Sequence, residues 1–391
     1  MIGGSTADAE LATLKPWPVR APAISVAERM GRIARARAAT AALGADALLV
    51  NAGASLRYFT GVSWGVTERL VALLLPVSGE PVMICPAFEL GSLQAELAIP
   101  ADIRLWEEDE SPTDLVIRSL PTGAVLAVDP LLNFGAAQRL GDRLTILDGA
   151  PVIDGLRMRK SAAELALMQQ AKDITLEVHR RAARILSPGI RASEVKRFID
   201  SAHRTLAGTG STFCAVQFGR ATAFPHGLPG DQQLQEGELV LIDTGTTVDG
   251  YHSDITRTYA FGAVDAGIRS LWALEKEAQA AAFDAAVPGV PCEAVDAAAR
   301  AVLEKAGLGP DYRLPGLPHR TGHGIGLAIH EPAYLVRGDR TPLAEGMCFS
   351  NEPMIVVPDR YGIRLEDHFH MTATGAKWFT EPQVSLERPF G

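Results

Sequence analysis

Asp243, Asp254, His323, Glu352 and Glu366 carry side chains that bind divalent cations, and each stands in a strand-like or turn-like run marked by Gly or Pro. Together they read as one site for two dications. Four carboxylates in one pocket repel and force some to protonate, whereas two divalent ions cancel four negative charges and leave room for a bound hydroxide. Oxygen-rich ligation with one imidazole suits Mn, Co or Zn. It does not suit structural zinc, because the cysteines do not cluster.

The first two acids sit in LVLIDTGTTVDGYHSDITRTYAF, where two β-rich runs flank Asp249-Gly250, a dipeptide suited to the positive-φ positions of a tight hairpin turn. With those two as loop residues, Asp243 opposes Thr256, and Asp254, two residues from Thr256, points to the same face. Such a diagonal pair is roughly 7–8 Å apart at Cα, a gap that metal ions bridge. FSNEPMIVVPDRYGIRLEDHF repeats the device, with Pro358–Gly362 as the turn and Glu352 and Glu366 on the flanking strands. His323 arrives from HRTGHGIGLAIHEP, whose glycines let backbone pass close to a metal or substrate.

These hairpins need a scaffold. Residues 26–155 alternate helical stretches such as AERMGRIARARAATAALG with apolar runs (ALLV, RLVALLLPV, PVMIC, AVLAVD), which predicts an α/β N-terminal domain after an extension of residues 1–25. Residues 156–391 form the second domain. It opens on a long amphipathic helix behind a Ser161/Glu164 capping box. Within it Pro188-Gly189-Ile190 and Pro288-Gly289-Val290 each precede a helix, and His226-Gly227 and His323-Gly324 each precede two acidic strands. The ordered echo predicts an internal duplication, two related halves facing across a cleft.

Composition bounds the partners. The 391 residues are 47% hydrophobic and 21% charged, which is the profile of a globular chain able to bury large cores. A net charge of −9 with no basic block argues against nucleic acid. Cys85, Cys214, Cys292 and Cys348 are dispersed without CxxC spacing, as expected of buried thiols in a reducing compartment. The N-terminus has no basic start followed by an apolar run, and no stretch is long enough to span a membrane, so a cytoplasmic location is expected. The GHGIG run lacks both GxGxxG spacing and a P-loop Lys, so no nucleotide site is expected.

FPHGLP, LIDTG, GYHSDITRTY, HRTGHGIGLAIHEP, NEP and GIRLED resemble the metallopeptidases of the creatinase, prolidase and methionine aminopeptidase superfamily (M24), whose catalytic domain is the pita-bread fold. NAGASLRYFTGVSWG resembles the N-terminal domain of its prolidase and aminopeptidase P branch. The resemblance implies a creatinase-like α/β N-terminal domain before an α+β pita-bread domain of pseudo-twofold symmetry. It also implies an Asp, Asp, His, Glu, Glu set binding two metal ions per subunit, with Mn favoured over Co or Zn. Asp243 would bind one ion, His323 and Glu352 the other, and Asp254 and Glu366 both. A hydroxide between the metals would attack the scissile carbonyl, with Glu352 taking the water proton. His226 and His330 would contact the substrate, His330 at the scissile amide or tetrahedral intermediate, and Arg364 would orient neighbouring groups or a substrate carboxylate. His319 is assigned to structure, and Trp64 either to the core or, as the resemblance implies, to a loop reaching toward a partner subunit's active site.

The implied activity is hydrolysis of Xaa-Pro bonds in dipeptides or short peptides by a homodimer. Proline removes the amide hydrogen and fixes φ, so its bonds call for a specialised pocket. The alternatives are an Xaa-Pro aminopeptidase and a same-fold enzyme with other chemistry, a dimethylsulfoniopropionate lyase or an ectoine hydrolase. A non-catalytic binding module is disfavoured, because the ligand set is intact.

Overall fold

A computed structural model describes residues 2–390. The chain divides into two compact units, one from Ile24 to Arg157 and one combining the residues up to Ala23 with those from Met158 onward.

In the first unit a six-stranded sheet runs in the order Asp102–Trp106, Val82–Pro86, Ala72–Pro76, Ala47–Asn51, Val125–Val128, Thr145–Asp148. The middle strands are the apolar runs of the sequence. Ala47–Asn51 is buried along its whole length, as fits a strand covered on both faces. It pairs parallel with Val125–Val128 and antiparallel with Ala72–Pro76, giving a mixed sheet.

The second unit is built twice. Helices Ala162–Arg184 and Ala192–Ala207 precede the sheet of strands Phe213–Phe218, Glu238–Gly245 and Ile255–Phe261. Helices Ala266–Ala285 and Cys292–Lys305 precede the sheet containing Gly322–Gly324, Cys348–Asn351 and Asp367–Thr372. The Pro-Gly links between the helices match bond for bond. The Gly189 amide donates to the Leu234 carbonyl and Leu234 donates back to Ile190, while Gly289 donates to Leu343 and Leu343 to Val290. The first helix opens on the expected capping box, with Ser161 and Glu164 each bonding the other's backbone amide. The His-Gly echo is not part of the duplication. His323 lies in a strand, whose counterpart in the other half is Phe213–Phe218, whereas His226 lies in the loop after that strand.

Asp249 and Gly250 form the predicted turn, with φ of 48° and 80°. Val248 pairs with Tyr251, and beyond a break at Ser253 the ladder resumes at Ile255 opposite Thr244, which sets Thr256 opposite Asp243. Gly245 is needed at that break, because a Cβ there would lie 1.9 Å from the Ser253 carbonyl oxygen. The second hairpin turns more tightly than the sequence suggested. Asp359 takes a left-handed φ of 59°, and the strands Met354–Val357 and Tyr361–Arg364 close a loop of only Pro358, Asp359 and Arg360. Glu352 and Glu366 therefore fall just outside these strands. They occupy the break between this hairpin and the pair in which Asn351 faces Asp367.

The N-terminal residues pack on the duplicated unit. The Gly3 amide donates to Ala183, Trp17 to Leu206 and Ala21 to the Gln170 side chain, while Arg181 bonds Glu10. Beneath them the core holds two neutral histidines. His179 Nε2 lies 2.9 Å from the Ile255 carbonyl, and His203 lies between Thr175 and Ser211. Burial pushes the His203 pKa down to about 4, with Asp200 opposing. The unfolded chain therefore takes up this proton first as pH falls below 6.5. The stability His203 contributes at neutral pH should be lost between pH 6.5 and 4, by roughly 3 kcal/mol. Urea unfolding across that range should be less steep in pH for His203→Gln than for the parent.

Candidate metal centre

Asp243 projects from the strand Glu238–Gly245, and Asp254 and Glu366 each stand immediately before an equivalent strand, Ile255–Phe261 and Asp367–Thr372. The halves join at these points. The Glu366 amide donates to the Thr256 carbonyl, the Thr256 hydroxyl donates to Glu366 Oε2 at 2.7 Å, and Thr258 bonds Arg364. Behind them Arg257 is 1% exposed, pairs with Asp367 at 2.7 Å and donates to the Glu366 carbonyl, which fixes the backbone that carries Glu366.

The five sequence-assigned residues converge. His323 Nε2 is 3.1 Å from Glu352 Oε1 and 3.7 Å from Asp254 Oδ2, with the His323 amide held by Ser350. Among the described residues, the donor atoms of His323, Glu352 and Glu366 lie within 4.8 Å of one another, as do those of Asp254, Glu366 and His368. Asp243 adjoins Asp254, and its other oxygen is bonded by the Arg364 guanidinium.

Electrostatics mark the pocket as short of positive charge. Burial, together with the surrounding carboxylates, pushes Asp254 and Glu366 well above the ordinary carboxylate range. Burial raises Asp243 as well, against the pull of Arg364. Burial also opposes the Glu352 charge, but the hydrogen-bonded His323 together with His319 and Arg364 outweighs it and holds Glu352 down to about 2. Asp243 Oδ1, Asp254 Oδ1 and Glu366 Oε1 are buried with no hydrogen-bond donor. Acceptor oxygens without donors beside an imidazole are what divalent cations require, so the residues present fit the group.

His330 reaches the centre through its ring, centred 4.2 Å from that of His323. Partial burial and the nearby His323 and Arg320 push it down to about 4, so it stays neutral near pH 7. His226 is exposed and lines a cavity of about 260 Å³ together with Lys196, Gln217 and Asp231. The Gln217 amide pins its loop through the Phe224 and Pro225 carbonyls. Arg364 is 5% exposed and donates to Thr256 as well as Asp243. His319 Nδ1 faces the Arg320 carbonyl. Trp64 belongs to the N-terminal unit.

Two buried groups by the site escaped the sequence reading. His368 is 0% exposed, and burial with Lys172, His323 and Arg257 around it keeps its pKa well below the usual imidazole value. Its signal was the alternation of a strand, which returns residue 368 to the face of Glu366. Lys172 is also 0% exposed and donates to the His252 carbonyl at 3.1 Å, and burial pulls its pKa down to about 7. Nothing in the amphipathic pattern of its helix marked it.

Comparison with known proteins agrees with this geometry. The model of metallopeptidase family M24 matches residues 166–373, and that of the creatinase/prolidase N-terminal domain matches residues 32–159. A probable dipeptidase PepE of Mycobacterium bovis is 38% identical over 352 residues, covering 88% of this chain and 92% of its own. The Xaa-Pro dipeptidase of Lactobacillus helveticus is 33% identical, over 85% and 92% of the two chains. The crystal structure of dipeptidase PepE from Mycobacterium ulcerans superposes with a TM-score of 0.86 at 36% identity, covering 94% of this chain and 98% of that one. The chain therefore belongs to metallopeptidase family M24, as a peptidase hydrolase in which a creatinase-type N-terminal domain precedes a pita-bread catalytic domain.

Proposed function

We propose that this protein is an Xaa-Pro dipeptidase working with two divalent cations, Mn in first place and Co or Zn as alternatives. The observation that carries the reading is the set of buried, donor-less carboxylate oxygens around His323, with His330 placed beside that imidazole. The likeness to the Lactobacillus helveticus Xaa-Pro dipeptidase supports the proline preference. Asp243 would hold one ion, His323 and Glu352 the other, and Asp254 and Glu366 both. The ions would supply Lewis acidity at the scissile carbonyl and a water of near-neutral pKa.

The protein's own groups do the rest. Glu352, oriented by the Ser350 hydroxyl at 3.1 Å, takes the proton of the attacking water at a carboxylate oxygen and delivers it to the departing proline nitrogen. His330, neutral and partly exposed, donates one N–H to the carbonyl oxygen as it gains charge. His226 binds the substrate from the adjoining cavity. Arg364 keeps the Asp243 carboxylate in place. The dispersed free thiols support a cytoplasmic setting, where we place the protein as a homodimer acting on proline-containing peptides.

Free proline released from a panel of Xaa-Pro dipeptides and Xaa-Pro tripeptides tests the assignment, using metal-stripped enzyme with and without Mn. Mn-dependent cleavage confined to dipeptides is expected. Cleavage of tripeptides would make it an aminopeptidase, and metal binding without any peptide cleavage would redirect the search to lyase or ectoine-hydrolase chemistry. Asp254→Asn should weaken metal binding about tenfold or more and lower kcat in proportion. An unchanged metal content by elemental analysis would remove Asp254 from the ligand set. His330→Ala should keep both metals and lower kcat by roughly two orders of magnitude. Loss of metal from that variant would make His330 a ligand instead.

A further inference from the structure

His368 leaves the strand Asp367–Thr372 two residues after Glu366, so their side chains share a face, while Asp367 between them turns away into Arg257, Thr380 and Gln279. The position opposite His368 in the ladder is Ser350, which holds the His323 amide. The imidazole is therefore set into the floor of the metal pocket. It is 0% exposed, and neither ring nitrogen has a hydrogen-bond partner.

A buried imidazole with both nitrogens unsatisfied is destabilising, and an apolar side chain would fill the same place at less cost. What faces it suggests why it is there. His368 Nε2 lies 3.6 Å from Glu366 Oε1, which itself lacks a donor, and the donor atoms of Asp254, Glu366 and His368 all fall within 4.8 Å of one another. Two ligands about 2.1 Å from one ion at near-tetrahedral angles are about 3.4 Å apart, so the gap is the width that a shared cation spans.

We propose that His368 Nε2 is a sixth protein ligand, joining Asp254 and Glu366 on one divalent ion and giving the centre two imidazoles in place of the single one expected from the sequence. This rests on the reading of the pocket as a dinuclear metal centre. A second imidazole shifts the donor set toward nitrogen, and so toward Co and Zn relative to Mn.

The test uses Co²⁺ added to the metal-stripped full-length protein and to His368→Val. X-ray absorption at the cobalt edge should show one imidazole per ion in the parent and half that in the variant. Calorimetric titration should show one of the two Co²⁺ bound about tenfold or more weakly, with the other unchanged. Metal-free His368→Val should melt no lower than metal-free parent, because no bond is lost, while the rise in Tm on adding Co²⁺ should shrink. A parent that binds two Co²⁺ with one imidazole between them, or a variant with unchanged affinities, would overturn the assignment. Failure of the parent to bind Co²⁺ at all would instead overturn the metal-centre reading beneath it.

Discussion

Four carboxylates packed into one buried pocket are the constraint on which the rest of this molecule depends. Even with Arg364 among them, Asp243, Asp254, Glu352 and Glu366 do not all carry charge there, and burial with mutual repulsion leaves Asp254 and Glu366 favouring the neutral form. A fold does not gather such groups for stability, because each uncompensated oxygen costs free energy. The surrounding bonds are arranged to hold the acids in place. Thr256 ties Glu366, Ser350 ties Glu352 and the His323 amide, and the Arg257–Asp367 pair fixes the chain behind Glu366.

Internal duplication is how the chain reaches this arrangement. Each half contributes a helix pair, a Pro-Gly link with the same two hydrogen bonds, and an acid at the entry to an equivalent strand. Asp254 and Glu366 are thus counterparts, and they meet where the halves join. The residues that differ between the halves, His323 above all, make the pocket chemically lopsided although its scaffold is symmetric.

Much of this was legible in the residues. Asp249-Gly250 fixes the register of its hairpin through positive φ alone, and from that register follows Asp243 opposite Thr256. The apolar strand runs and the capping box at Ser161 are equally local signals, and they appear where the sequence placed them. Signals that needed a third dimension were lost or misleading. The His-Gly strings look alike, but one stands in a strand and the other in a loop after it, because a dipeptide carries no information about its place in a sheet. The second turn takes up only Pro358 to Arg360 of the expected Pro358–Gly362, since Asp359 adopts the left-handed conformation that lets the chain reverse early. His368 and Lys172 went unnoticed because the helix and strand patterns that place them describe faces, and the faces became pocket walls only when the two halves met.

The salt link between Arg364 and Asp243 bears on how the proposed centre would fill. A cation settling at Asp243 must share that carboxylate with a guanidinium, whereas the His323 and Glu352 side presents an imidazole that carries no fixed charge once deprotonated. The two positions are therefore unequal before any ion arrives. Occupancy should proceed in order, the His323 side first, and a protein kept at scarce metal would exist as a half-filled, mononuclear species with its own kinetic character.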